Sequence, residues 1–221
     1  MVLTATAGAP GPNRPRRRRF DLIGRVIKPS IFALCLLPLA VVAWRWASDS
    51  LGANPIEATT RTFGDWALRL LLVTLAVTPV RRLSGIAGMM RLRRMLGLFA
   101  FFYAVLHVLS YVVLDQFFDW AAIGADIAKR RYITAGMLAF LLLVPLAVTS
   151  TAGWVKRLGA KAWQRLHRLI YPAAAIACLH FFWMVKADHR EPLAYALILT
   201  ALLAARFVPS RAVSRLVAIK N

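Results

Sequence analysis

Charge in this chain is confined to short stretches between six long apolar runs. They lie at roughly Ile31–Ala47, Trp66–Val80, Met95–Leu114, Tyr132–Thr149, Leu169–Val185 and Leu193–Val208. A bilayer-spanning helix needs about 17–25 mostly apolar residues. The third and fourth runs meet that comfortably, whereas the second and sixth are short and need their flanks. Ten-residue alternating strands, the signature of a membrane barrel, are not seen. The pattern predicts an all-α, polytopic membrane helix bundle of about six transmembrane helices, or five if one run falls short. Composition agrees: 60% of the 221 residues are hydrophobic and 17% charged, with a mean hydropathy of +0.61. Globular domains carry about 25% charged residues, so most of this surface must meet lipid.

The net charge of +20 raises nucleic-acid binding as an option. The basic residues are spread between apolar runs instead of along one face, so no nucleic-acid partner is expected. Cys35 and Cys178 lie inside apolar runs and suggest neither a disulfide framework nor a zinc site. With alternating loops, one side collects 21 Lys and Arg against a single acid, Asp21; the other collects seven basic residues and the other eight acids. The positive-inside rule then places both termini in the cytoplasm. Three regions follow: a basic lead over 1–30, expected to be disordered at least until Asp21, a membrane domain over 31–208, and a short tail over 209–221. Arg17-Arg18-Arg19-Phe20 faintly resembles an export signal. Trp44-Arg45-Trp46 offers no small-residue cleavage site, so the first run reads as a retained span.

Ionisable residues within spans are functional candidates by default. Arg69 follows Asp65 by four residues, a helical spacing that suggests snorkelling to that acid or to headgroups. His107 and His180 sit in the third and fifth runs, each eight residues before an acid at the outer edge, Asp115 and Asp188. Both helices run from inside to outside, so both imidazoles lie at one depth, ~12 Å in from those acids. A zinc site recruits three or four ligands, and a proton relay usually adds carboxylates; neither accompanies this pair. Axial ligation of a haem iron remains, beside the alternative of polar helix packing. Small residues near both histidines, such as Ala104 and Ala173-Ala174-Ala175, suit a flat macrocycle but also plain helix contacts. The lack of a CxxCH motif makes any haem non-covalent, b-type.

The run Arg93-Arg94-Met95-Leu96-Gly97-Leu98 leading to Tyr103 and His107, then Tyr132-Ile133-Thr134, Trp163, Leu166-His167-Arg168-Leu169, Tyr171, His180 and Val185-Lys186-Ala187-Asp188 resembles the MsrQ (formerly YedZ) family over about residues 20–208. That family lies within the ferric-reductase-like transmembrane superfamily. The resemblance implies a b-haem subunit of the bacterial inner membrane, an electron-transfer component and not the catalytic subunit. It would draw electrons from the quinone pool or a cytoplasmic flavin reductase. It would pass them to the catalytic subunit of a periplasmic molybdenum-containing methionine-sulfoxide reductase, supporting repair of oxidised proteins. The resemblance also implies FMN, for which no motif is visible. The family's functional histidines map onto His107, His180 and His167. Two-haem relatives in the broader superfamily carry a second histidine near the position of Arg93, so His107 and His180 are expected to hold one haem. His167 would serve a second haem or electron entry; without the family it reads as an interfacial residue beside Lys161, Arg165 and Arg168. A small transporter or channel, and a cofactor-free membrane anchor, are the rival functions.

Overall fold

A computed structural model describes residues 23–86 and 88–207. The arginine run of the lead and the tail over 209–221 lie outside the described residues. Among the described residues the chain is helical, with no strand. A π-helical turn (Ile23–Ile27) leads into α1 (Lys28–Ala47), so helix begins upstream of the apolar run at Ile31. Then follow α2 (Pro55–Ser84), α3 (Met89–Leu109), extended by a π-helical segment (Ser110–Asp115), and α4 (Trp120–Lys129). The remainder comprises α5 (Arg131–Val148), α6 (Ala152–Leu158), α7 (Ala160–Leu166), a 3₁₀ turn (His167–Leu169), α8 (Ile170–Met184) and α9 (Arg190–Phe207).

Among the described residues, four helices are long and apolar enough to cross a membrane: Arg25–Ala47, Pro55–Ser84, Met89–Asp115 and Arg131–Val148. The fifth and sixth apolar runs form α8 and α9. Helix α8 alone rises only ~22 Å at 1.5 Å per residue, but the helical path runs on through the 3₁₀ turn from α7. The helix ends are set by local chemistry. Pro55 occupies the first turn of α2, and the Asn54 side chain accepts from Glu57 N at 3.1 Å, satisfying an amide that the helix leaves unpaired. Gly85, with φ of 68°, ends α2 in the left-handed conformation that glycine adopts without penalty.

Helix α2 packs along α3, and α5 along α8; these two pairs frame the interior. Leu71, Leu75, Leu96, Phe99 and Tyr103 bury the first seam, while Ala173 and Ala174 are fully buried on α8. Their lack of bulk lets backbones approach where lipid supplies no hydrophobic drive for association. Leu34, Leu37, Leu141 and Leu197 are exposed, as residues facing acyl chains must be. Tyr103 also shapes α1. Its hydroxyl donates to the Cys35 carbonyl at 2.7 Å and accepts from Leu39 N at 3.2 Å. These two groups are four residues apart and would otherwise bond to each other, so the hydroxyl is inserted in the helical ladder beside Pro38.

Arg69 does not pair with Asp65, the acid expected from their spacing. Its Nε donates to the Tyr195 hydroxyl of α9 at 2.8 Å, and its guanidinium lies 5.4 Å from the Trp66 ring centre. A neighbouring helix offers a neutral acceptor where the helix surface alone suggests a carboxylate.

Candidate haem site

The tertiary structure brings His107 and His180 together. Their ring centres are 6.1 Å apart and their planes cross at 74°. Both line a cavity of about 500 Å³ enclosed by α2, α3, α5 and α8.

Each imidazole is held in the same way by the helix beside it. His107 Nδ1 lies 2.8 Å from the Thr60 carbonyl, and His180 Nδ1 lies 2.6 Å from the Tyr132 carbonyl. A carbonyl can only accept, so each ring carries its proton on Nδ1. In the neutral ring each Nε2 then keeps its lone pair, and among the described residues neither makes a hydrogen bond. The ring also needs space against the supporting helix. One turn beyond each carbonyl stands a glycine, Gly64 after Thr60 and Gly136 after Tyr132. A Cβ on Gly64 would lie 3.0 Å from His107 Cε1 and Nδ1, and one on Gly136 would lie 2.8 Å from His180 Nδ1. Only glycine leaves room for a ring that close to the backbone.

The two cradles therefore repeat. A helix presents a carbonyl, a glycine follows one turn later, and the histidine comes from the partner helix, 47 residues after Thr60 and 48 after Tyr132. The repeat is a signal that sequence reasoning missed. The histidines stand out as ionisable groups in spans, whereas Gly64 and Gly136 look like any small residue at a helix contact.

The walls are apolar near the histidines, with Leu68, Ala104, Met137, Phe140, Ala177 and Phe181, and turn charged towards the mouth, where Arg61, Asp115, Arg130 and Lys186 stand. Arg130 pairs with Asp126 at 3.1 Å and Arg61 with Glu57 at 2.7 Å. Among the described residues no group of three His, Cys, Asp or Glu side chains could hold a metal ion. Two neutral imidazoles with free Nε2 atoms, facing a mostly apolar cavity, suit a cofactor that brings its other metal ligands with it.

His167 is not part of this cavity. It lies in the 3₁₀ turn between α7 and α8, stacked on Trp163 with ring centres 3.7 Å apart. Its Nδ1 donates to the Trp163 carbonyl at 3.1 Å, and Trp163 Nε1 donates to the Thr149 carbonyl at 2.9 Å. The His167 Nε2 is buried, with the Leu146 carbonyl near it but no well-aligned hydrogen bond. Burial pushes this imidazole below its usual pKa, opposed by the nearby carbonyls and helped by the positive charge of Arg93. The 3₁₀ turn resets the helical phase just before Pro172, so the angle between His167 and His180 is not that of one straight helix.

Residues 63–178 match the family model for the ferric reductase like transmembrane component. The match begins on α2 one residue before Gly64, includes His107 and stops two residues short of His180. Within that class, the chain belongs to the MsrQ family. It is 60% identical over 190 residues to the protein-methionine-sulfoxide reductase heme-binding subunit MsrQ of Rhodospirillum rubrum, covering 86% of this chain and 90% of the relative. The protein of the same name from Caulobacter vibrioides is 48% identical over the same coverage. That from Xanthomonas campestris pv. campestris is 52% identical over 182 residues, 80% of this chain and 83% of the relative. No solved structure matches.

Proposed function

We propose that this chain is a b-type haem electron relay of the bacterial inner membrane, in which His107 and His180 ligate one iron from opposite sides. The observation that carries the reading is the spacing of the anchored rings. A metal–imidazole bond runs about 2.0–2.1 Å and a ring centre lies about 1.1 Å from Nε2, so two imidazoles across one iron have centres about 6.3 Å apart. Here they are 6.1 Å apart. The relatives' names describe a heme-binding subunit, which supports the same cofactor.

Haem supplies one-electron ferric–ferrous chemistry when bound. The chain's own residues do the rest. The Thr60 and Tyr132 carbonyls fix ring orientation and tautomer and raise the basicity of each Nε2. Gly64 and Gly136 give the rings their depth, and the apolar wall keeps water from the ligands. Without a CxxCH motif, these contacts must hold the macrocycle non-covalently.

Electrons enter at the inner end, where His167 stands against Trp163, from the quinone pool or a cytoplasmic flavin reductase. They leave at the outer end to the catalytic subunit of a periplasmic molybdenum-containing methionine-sulfoxide reductase. The relatives' names support a partner of that activity, and the charge asymmetry supports the orientation, with the membrane domain over 31–208 and both flanks cytoplasmic. FMN is carried by the family resemblance alone, and no residue is assigned to it.

The absorption spectrum of the purified protein tests the reading, since neither a transporter nor a cofactor-free anchor shows reducible haem bands. His107→Ala and His180→Ala should each lose most bound haem. A full low-spin haem complement in His107→Ala would overturn the pairing. For the partner, reduced protein mixed with the molybdenum reductase should reoxidise when methionine sulfoxide is added; reoxidation no faster than in buffer would refute that acceptor.

A further inference from the structure

The histidine cavity is charged at one end only. Apart from the two imidazoles, no charged residue lines its inner part, where Leu71, Leu143 and Ala177 stand, whereas Arg61, Arg130 and Lys186 all stand at the outer mouth. The packing of α5 against α8 brings two of these cations to one side. The helices run antiparallel: the Tyr132 carbonyl meets His180, and one residue earlier Arg131 lies 5.9 Å from the Trp183 ring centre. Arg130, just before α5, and Lys186, just past the end of α8, therefore flank the outer end of that seam. Arg130 is held by its neighbours. Its Nε pairs with Asp126 at 3.1 Å and its Nη1 makes a long hydrogen bond to the Tyr132 hydroxyl at 3.4 Å, while Asp126 also accepts from the Tyr111 hydroxyl at 3.1 Å. A guanidinium carries five N–H donors, so Arg130 keeps some to spare. Lys186 makes no hydrogen bond or ion pair among the described residues. Arg61 differs, because its charge is balanced on its own helix by Glu57 at 2.7 Å and by Asp65 four residues on. Asp115, the other acid of the mouth, accepts from the Gln116 side chain at 2.9 Å.

We propose that Arg130 and Lys186 hold the propionate carboxylates of the haem, so that the charged edge of the macrocycle faces the outer mouth. The proposal rests on the haem reading above and adds to it the orientation of the ligand and its anionic contacts. The porphyrin ring is apolar, and its two propionates project from one edge. Turned inward, a carboxylate would lie unpaired among aliphatic side chains within the membrane, at high cost. Turned outward, it meets two cations that have donors left to give. Arg130 offers N–H groups in a fixed plane, and Lys186 brings three on a flexible stem. Both cations stay partly in water, Arg130 with 54% of its side chain exposed, so solvent screening keeps each contact modest.

The test titrates haem-depleted full-length protein, in phosphatidylcholine nanodiscs, with two probes. One is iron protoporphyrin IX; the other is its dimethyl ester, which keeps the iron and the ring but carries no propionate charge. Each screened contact is worth up to about fivefold, so wild type should prefer the free acid over the ester by about 10- to 25-fold. Lys186→Gln should reduce that preference by about three- to fivefold and leave ester affinity unchanged. Arg130→Gln should reduce it similarly, and the double variant should bind both porphyrins nearly equally. Because Arg130→Gln also strips Asp126 of its cation, Lys186→Gln, which breaks no described contact, is the decisive variant. Arg131→Gln removes a cation at the same end but outside the cavity lining, and it should keep the full preference. Both porphyrins should give low-spin spectra in every variant, since the two histidines are untouched. Equal affinity of wild type for the two probes, an undiminished preference in Lys186→Gln, or an equal reduction in Arg131→Gln would each overturn the propionate contacts while the axial ligation stands. Failure of both probes to give a low-spin complex in wild type would instead overturn the haem reading, and this proposal with it.

Discussion

Adding one methyl group at Gly136 tests how the histidine site is built. An alanine Cβ there would stand 2.8 Å from His180 Nδ1, 2.9 Å from Cε1 and 3.3 Å from Cγ. Ordinary carbon contacts lie at about 3.5–4.0 Å, so the ring must retreat by about 0.6–1 Å. It is held from behind by the 2.6 Å contact with the Tyr132 carbonyl. Metal–ligand distances tolerate only about 0.2 Å, so the displaced ring gives up either its carbonyl or good ligation. Overpacking of this kind costs about 1–3 kcal/mol, and at 1.4 kcal/mol per tenfold the haem affinity should fall by about 5- to 150-fold. Gly64→Ala, with its closest contacts at 3.0 Å, should fall in the same direction by less. Gly124→Ala on α4, where a Cβ meets nothing within 4 Å, should leave haem binding unchanged and gain helix propensity. The assay is haem titration into haem-depleted full-length protein, followed through its Soret and low-spin bands, with helical circular dichroism as the check on folding. If Gly136→Ala binds haem with wild-type affinity and a wild-type low-spin spectrum, the cradle argument is wrong.

Replacing His167 by Ala should leave the outer-haem spectrum largely intact while slowing reduction by a quinol or flavin donor several-fold in stopped-flow measurements; unchanged kinetics would return His167 to a packing role against Trp163. Tyr103→Phe removes the hydroxyl between the Cys35 carbonyl and Leu39 N. It should lower thermal stability by about 1–2 kcal/mol, read as a lower unfolding midpoint with the haem spectrum unchanged, and an unaltered midpoint would show that the α1 ladder closes without cost.

The chain order of apolar runs and charges determined the class of fold, because lipid admits only helices or closed barrels and the runs have helical lengths. It also marked His107 and His180, since an ionisable group inside an apolar run is costly enough to stand out; His167 stood out only through the family resemblance. The equal eight-residue offsets of the two intramembrane histidines from Asp115 and Asp188 could be read as equal depth, because rise per residue is fixed within a helix. Which neighbours each group would find could not be read, for partners come from other helices. Arg69 bonds Tyr195 and not Asp65, 126 residues apart instead of four. Tyr103 enters the backbone ladder of α1 from α3. The Thr60 and Tyr132 carbonyls are main-chain atoms that every residue carries, so no side-chain pattern announces them. Gly64 and Gly136 become special only when a ring lies against them. Arg206 looks like one more inner-face cation until α9 packs and brings it to the Tyr171 hydroxyl and the Leu75 carbonyl. Depth and chemical type are local properties of a helix, so the sequence decides them; contact between helices depends on how they pack, and only the tertiary structure decides that.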